Sequence, residues 1–222
     1  LSEKYGIVAA MPEMLADADV IFFAIKPQTF PEACEMYAEY FTSDKVYLTI
    51  MAGVSCASVE TATGGARVVR FMPNLALSVG KSATGFCLGR NSGEEEAALA
   101  RALFSPLGEA RELPEDMLSS VTALSGSGPA YFYYLCEALT AAAVGDGMDE
   151  ETAQSLAVQT LIGTAALIEE SGESPTEMRR RITSKKGTTE AGICALEAAG
   201  FFDCVREGYL AARHRSDELG KK

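Results

Sequence analysis

The feature that most narrows the fold is a change of pattern at Pro114. Before it, short apolar runs at residues 6–9, 20–24, 46–50, 67–71, 84–88 and 110–113 alternate with helical spacing at 31–40, 55–61 and 94–104. Runs of this length bounded by glycine, proline or asparagine read as buried strands. Their alternation with helices reads as an α/β domain whose parallel strands are joined by crossover helices. After Pro114 the strand signal stops, and the remainder reads as four or five helices punctuated by glycine and proline. The expected division is therefore 1–113 and 114–222.

Within the helical half, Ser127-Gly128-Pro129 predicts a helix start, with proline at the first helical position, and Gly145 and Gly147 predict its end. Asp149 is placed to cap the next helix. There Ala153, Leu156, Ala157, Thr160, Leu161, Thr164, Ala165 and Ile168 recur at helical spacing. This small apolar stripe suits two arrangements: close packing inside one chain, or packing against a second copy.

Charge and composition remove several function classes. Of 222 residues, 19 are basic and 31 acidic, a net of −12 spread over both halves. Sequence-independent nucleic-acid binding needs a positive face and is not expected. No apolar run approaches the ~20 residues of a membrane span, and the first residues lack the pattern of a secretory signal, so a cytoplasmic location is expected. Cys34, Cys56, Cys87, Cys136, Cys194 and Cys204 stand singly, without metal-ligand spacing, and read as reduced thiols with no metal site. His214 is the sole histidine. A histidine cluster is thereby excluded, and a histidine general base is not expected.

Three strand ends carry small or polar residues: Ala24-Ile25-Lys26-Pro27, Met51-Ala52-Gly53 and Met72-Pro73-Asn74. Ligands of open α/β sheets lie beyond the carboxyl ends of strands, so the recurrence suggests a dinucleotide, with Lys26 offering a cation and Gly53 a close backbone approach. Each segment also reads as ordinary turn chemistry. The stretch Ser125-Gly126-Ser127-Gly128-Pro129-Ala130-Tyr131 fails the GxGxxG pattern, because Tyr131 occupies the last glycine position, and reads as a helix junction. Residues 179–186 hold five positive charges and precede Gly187, Thr188, Thr189 and Glu190. The amino end of a helix there offers free N–H groups to a small carboxylate, or Gly187 and Glu190 simply form a cap.

In this order the segments resemble the pyrroline-5-carboxylate reductases. The likeness rests on Ala24-Ile25-Lys26-Pro27-Gln28, Met72-Pro73-Asn74, the stretch 123–131 and residues 184–192, and it covers essentially the whole chain. It implies a Rossmann-type parallel sheet, lacking its first βα unit because Leu1 falls inside that domain, followed by an all-α helical dimerisation domain. It also implies reduction of 1-pyrroline-5-carboxylate to L-proline by NADPH or NADH, NADPH being favoured, in a homodimer or an assembly of dimers. Ala24, Ile25, Lys26, Pro27, Met51, Ala52, Gly53 and Asn74 would then hold the dinucleotide. Ile182, Ser184, Gly187, Thr188 and Thr189 would hold the substrate, with the Thr189 hydroxyl bonding the ring nitrogen or aiding its protonation. Reducing a C=N bond asks mainly for positioning of two flat rings, which suits a site without a catalytic histidine. Two sites depart from the family: Leu75-Ala76 replaces a usual Thr-Pro, and Lys186 replaces a usual glycine, either crowding the carboxylate loop or adding a cation. These departures also suit reduction of a different cyclic imine, and the missing first unit suits a non-catalytic dimerising relative.

Overall fold

The structure is a computed structural model that describes residues 5–8 and 11–220. Five strands form one sheet in the order β1 (Val20–Phe23), β2 (Val46–Thr49), β3 (Arg67–Met72), β4 (Ser82–Leu88) and β5 (Gly108–Glu112). Strands β1, β2 and β3 run parallel, as do β4 and β5, while β4 runs antiparallel to β3. The reversal departs from the wholly parallel sheet expected from the sequence. Its cause is the connection at residues 73–81, which is shorter than the dozen or so residues a crossover needs. Of the strand expected at 6–9, residues 6–8 carry no regular element and residue 9 lies outside the described residues.

Alternate side chains of the central strands feed two separate cores. On one face Ile21, Phe23, Tyr47 and Val68 pack with helices α1 (Phe30–Met36) and α2 (Cys56–Ala62) and with Leu118. On the other, Val46, Leu48, Val69, Phe71 and Phe86 pack with Ala97, Ala100 and Phe104 of α3 (Glu94–Phe104). All four residues of β2 are buried. A strand covered on both faces reads as a continuous apolar run, and this is why 46–50 was recognisable. The rings of Phe71 and Phe104 stack with centroids 4.1 Å apart.

Two compact units make up the chain. The first runs to Ser127 and takes in the stretch from Ala211 onward; the second is Gly128–Leu210. The first thus extends past Pro114 to include α4 (Leu118–Val121) and a π-helical turn, Thr122–Gly126. Close packing ties α4 to the sheet: a methyl group on Gly85 of β4 would lie 2.7 Å from Val121 Cγ2.

Four helices lie wholly in the second unit: α5 (Gly128–Gly145), α6 (Glu150–Ser171), α7 (Pro175–Ile182) and α8 (Thr188–Ala198). Helix α9 (Phe201–Leu219) begins there and ends in the first unit. Helix α6 starts as the sequence suggests, with Thr152 N–H donating to Asp149 Oδ1 at 2.9 Å. Ala153 is the one buried apolar side chain among the described residues of this unit, while Leu156, Ile162 and Leu167 of the same helix are more than half exposed.

Candidate active site

Strand register sets the first group of candidate residues. Phe23, Thr49 and Arg70 lie side by side in the parallel ladder, so the chain leaves β1, β2 and β3 along one edge. From β1 it passes through exposed Ala24, Ile25 and Lys26 to half-buried Pro27, where a single 3-10 turn begins with Thr29 N–H donating to Lys26 O at 2.9 Å. From β2 it passes Met51, whose N–H donates to Thr49 Oγ1 at 3.1 Å and whose side chain is packed in the core, and then exposed Ala52. All eight residues read as cofactor contacts, including Gly53 and Asn74, are thus found in the first unit at the carboxyl ends of three adjacent strands.

Gly53 and Asn74 have partners within the chain. Gly53 has φ +78°, and a Cβ on it would sit 3.0 Å from the carbonyl oxygen of Leu219. The end of α9 thus closely approaches the Gly53 backbone from within the same unit. Asn74 uses both ends of its carboxamide: Nδ2 donates to Ser125 O at 3.1 Å, and Oδ1 accepts from Ala76 N–H at 3.2 Å. Its backbone N–H donates to Ser82 Oγ at 3.2 Å.

Ser125 belongs to the π-helical turn, which closes with Ser127 N–H donating to Thr122 O at 2.8 Å. Such single π turns widen a helix locally and concentrate at functional sites. The glycine-rich stretch read as a junction thus also anchors a strand end. Nothing in the sequence announces a bond between residues 51 positions apart.

Glu115 also escaped the sequence reading. Its Oε1 accepts from the Cys56 N–H at 2.8 Å and from Arg70 Nη1 at 2.9 Å, joining the amino end of α2 to β3. Beside it lies a polar cavity of about 320 Å³ lined by Gly53, Ser55, Arg70, Ser119, Ser216 and Asp217.

The second group of candidates gathers at the α7–α8 junction in the other unit. Helix α7 ends at exposed Ile182, and the turn closes with Gly187 N–H donating to Ser184 O at 3.0 Å. Gly187 is the N-cap of α8, and a Cβ there would lie 2.5 Å from Ser184 Oγ. The first intrahelical bond is Ala191 N–H to Gly187 O at 3.2 Å. This leaves the N–H groups of Thr188 and Thr189 among the unpaired donors of the helix start. Thr188 is exposed and Thr189 half-buried. Lys186 adopts φ +61°, and its N–H donates to Glu190 Oε2 at 2.6 Å, so the capping reading of Glu190 holds together with the free donors. Of the basic cluster, Arg180 pairs with Glu177 at 2.8 Å and Arg181 with Glu173 at 2.7 Å.

An α/β unit with its candidate residues along the carboxyl edge of the strands, followed in the chain by a helical unit, defines a dinucleotide-binding oxidoreductase fold. Residues 115–219 match the family model for pyrroline-5-carboxylate reductase dimerisation. A pyrroline-5-carboxylate reductase of Methanosarcina acetivorans is 40% identical over 100% of this chain and 83% of its own, and one from Bacillus subtilis 35% identical over 100% and 75%. Among solved structures, a pyrroline-5-carboxylate reductase from Coxiella burnetii superposes with TM-score 0.92 at 32% identity, covering 100% of this chain and 84% of that one. A Plasmodium falciparum pyrroline carboxylate reductase with NADP bound gives TM-score 0.81 at 27% identity over 94% and 80%. The chain belongs to the pyrroline-5-carboxylate reductase family. No helix among the described residues is long and apolar enough to cross a membrane.

Proposed function

We propose that this chain reduces 1-pyrroline-5-carboxylate to L-proline, the last step of proline biosynthesis, in the cytoplasm, as a homodimer or an assembly of dimers. The observation that carries the reading is the likeness to named reductases along the entire chain, at up to 40% identity among those compared. The bare apolar faces of α5 and α6 support the dimer, and six free cysteines suit a reducing compartment. The net charge of −12 argues against nucleic acid as a partner. In this reading residues 1–113 serve the dinucleotide, and residues 114–222 serve substrate binding and dimerisation.

The strand-end residues fit a nicotinamide dinucleotide, because Ala24, Ile25, Lys26 and Ala52 leave an open edge with one ammonium group; NADPH before NADH follows from the family likeness, a relative having been solved with NADP bound. When bound, the reduced nicotinamide supplies hydride to the imine carbon. Lys26 offsets phosphate charge, the backbones of Pro27, Met51 and Gly53 shape the edge, and Asn74 keeps the β3 end fixed. The N–H groups of Thr188 and Thr189 hold the substrate carboxylate, with Gly187, whose own N–H is taken by Ser184 O, turning the chain beneath it, and Ile182 and Ser184 flanking it. The Thr189 hydroxyl orients the ring nitrogen, directly or through a water, since a threonine hydroxyl is too weak an acid to protonate it alone.

Purified protein should oxidise NADPH when given pyrroline-5-carboxylate, and Thr189→Ala should lower kcat/KM on the order of 10- to 100-fold. Failure to reduce this imine with either cofactor, with turnover of a six-membered analogue, would overturn the substrate. Unchanged turnover in Thr189→Ala would overturn the role of the hydroxyl.

A further inference from the structure

Three polar side chains that the reaction does not use meet in the first unit, two thiols in the core and a half-buried carboxylate at its edge. Cys56 opens α2, Cys87 lies on β4 opposite Arg70, and Glu115 stands just before α4. The two thiols are 3% and 2% exposed, and their sulfurs are 3.6 Å apart, each the hydrogen-bonding partner of the other. The two sulfurs and a Glu115 oxygen all lie within 4.8 Å of one another.

Two thiols and a carboxylate supply three of the four ligands a structural zinc takes. Here, however, Glu115 Oε1 already accepts from Arg70 and from the Cys56 N–H, so a cation would meet the guanidinium at the carboxylate it needs. The chemistry rests on the sulfur pair. We propose that Cys56 and Cys87 form a redox-active dithiol that hydrogen peroxide closes to an intramolecular disulfide, fixing the start of α2 to β4.

One thiolate attacks the peroxide oxygen and breaks the O–O bond, giving a sulfenic acid and releasing one water. The second sulfur attacks the sulfenyl sulfur, the S–O bond breaks, and a second water leaves. Both thiol protons and two electrons pass to the peroxide. Bond formation requires the sulfurs to close from 3.6 Å to about 2.05 Å. Cys87 is held in the β3–β4 ladder, whereas Cys56 sits at a helix end reached through the turn at 51–55, so the movement falls on Cys56. Ser55, the sequence neighbour of Cys56, and Arg70, which shares Glu115 with it, line the 320 Å³ cavity; neither thiol lines it, so a small oxidant reaches the sulfurs when the start of α2 moves. The hydrogen bond that the Cys56 thiol donates to the Cys87 sulfur in its protonated form, burial and the Glu115 charge push the Cys56 thiol above its ordinary value, so oxidation should accelerate as pH rises.

Because Met51, Ala52 and Gly53 lie in the same turn, closure should raise the KM for NADPH several-fold, a consequence that rests on the cofactor site proposed above. The test is peptide mapping of the full chain after reduction, desalting, hydrogen peroxide and alkylation. The expected result is a Cys56–Cys87 linked peptide, faster to form at pH 8.5 than at pH 7, reversed by dithiothreitol and absent in Cys56→Ala and Cys87→Ala. If the variants fail to fold, the wild-type map still decides. Independent alkylation of both thiols after peroxide, or stoichiometric zinc that protects them, would overturn the dithiol. A linked peptide with unchanged KM would overturn its coupling to the strand end. Mapping reads out without turnover, so inactivity of the reduced protein would count against the reductase reading alone.

Discussion

In the sheet-bearing unit β2 and β3 meet packed side chains on both faces, whereas the helical unit buries Ala153 alone among its apolar side chains while Phe132, Tyr134, Leu156, Ile162 and Leu167 stand more than half exposed. A helix that is apolar on several sides needs cover on several sides. The first unit finds that cover in its own chain. The second lacks it in a single chain, which matches its family's description as a dimerisation domain.

The sharpest break of this contrast is Phe71→Ala. Phe71 is 1% exposed and stacks on Phe104, so truncation removes a fully buried ring from the second core. A loss of about 3–5 kcal/mol is expected, read as a shift in the urea midpoint that does not depend on protein concentration. Its mirror in the helical unit is Ile162→Asp. Ile162 is 55% exposed in the single chain, so the fold of one chain should barely respond. Sedimentation should instead show dissociation, with the dimer weakened by about 2 kcal/mol or more, near thirtyfold in Kd. A variant that stays dimeric would show that this face is not the interface.

What the sequence disclosed follows the same line. Strand β2 was legible because a strand covered on both faces is apolar at consecutive positions, and α6 because Asp149 caps it at the expected place. Direction in the sheet was not, because pattern reports burial and not polarity: β4 looks like any buried strand, and only the short link at 73–81 reverses it. The candidate residues were legible as segments, yet their supports were not. Gly53 meets Leu219, Asn74 meets Ser125, and Glu115 meets Cys56 and Arg70, all contacts that tertiary folding alone creates. The limit of the first unit was hidden for a similar reason. Loss of strand signal at Pro114 marks the end of the sheet, while α4 still packs on Gly85.

A smaller effect comes from Lys186, the non-glycine residue with positive φ among those described. The left-handed region costs an ordinary side chain about 1–2 kcal/mol, partly offset by the greater freedom of an unfolded glycine. Lys186→Gly should therefore stabilise the protein by about 0.5–1 kcal/mol in thermal unfolding. If the ammonium group assists the substrate carboxylate, KM for the imine should rise at the same time. A gain in stability with an unchanged KM would make the lysine a tolerated strain and nothing more.

The smallest expected effect is confined to acid. Hydrogen bonds from the Thr152 side chain and then its N–H hold the Asp149 carboxyl below its ordinary value near 3.8. A carboxylate with a lowered folded value contributes stability that is complete above the unfolded value and is lost as pH falls through the folded one. The contribution of this cap is thus intact at neutral pH and fades below about 3.8. Asp149→Asn keeps an acceptor for the Thr152 N–H but does not titrate, so the difference in Tm between the two proteins should shrink as pH is lowered from 7 to 3. A difference that stays constant over that range would assign the stability of the α6 start to helix propensity and packing, and would remove the charge from the account of how the helical unit is held.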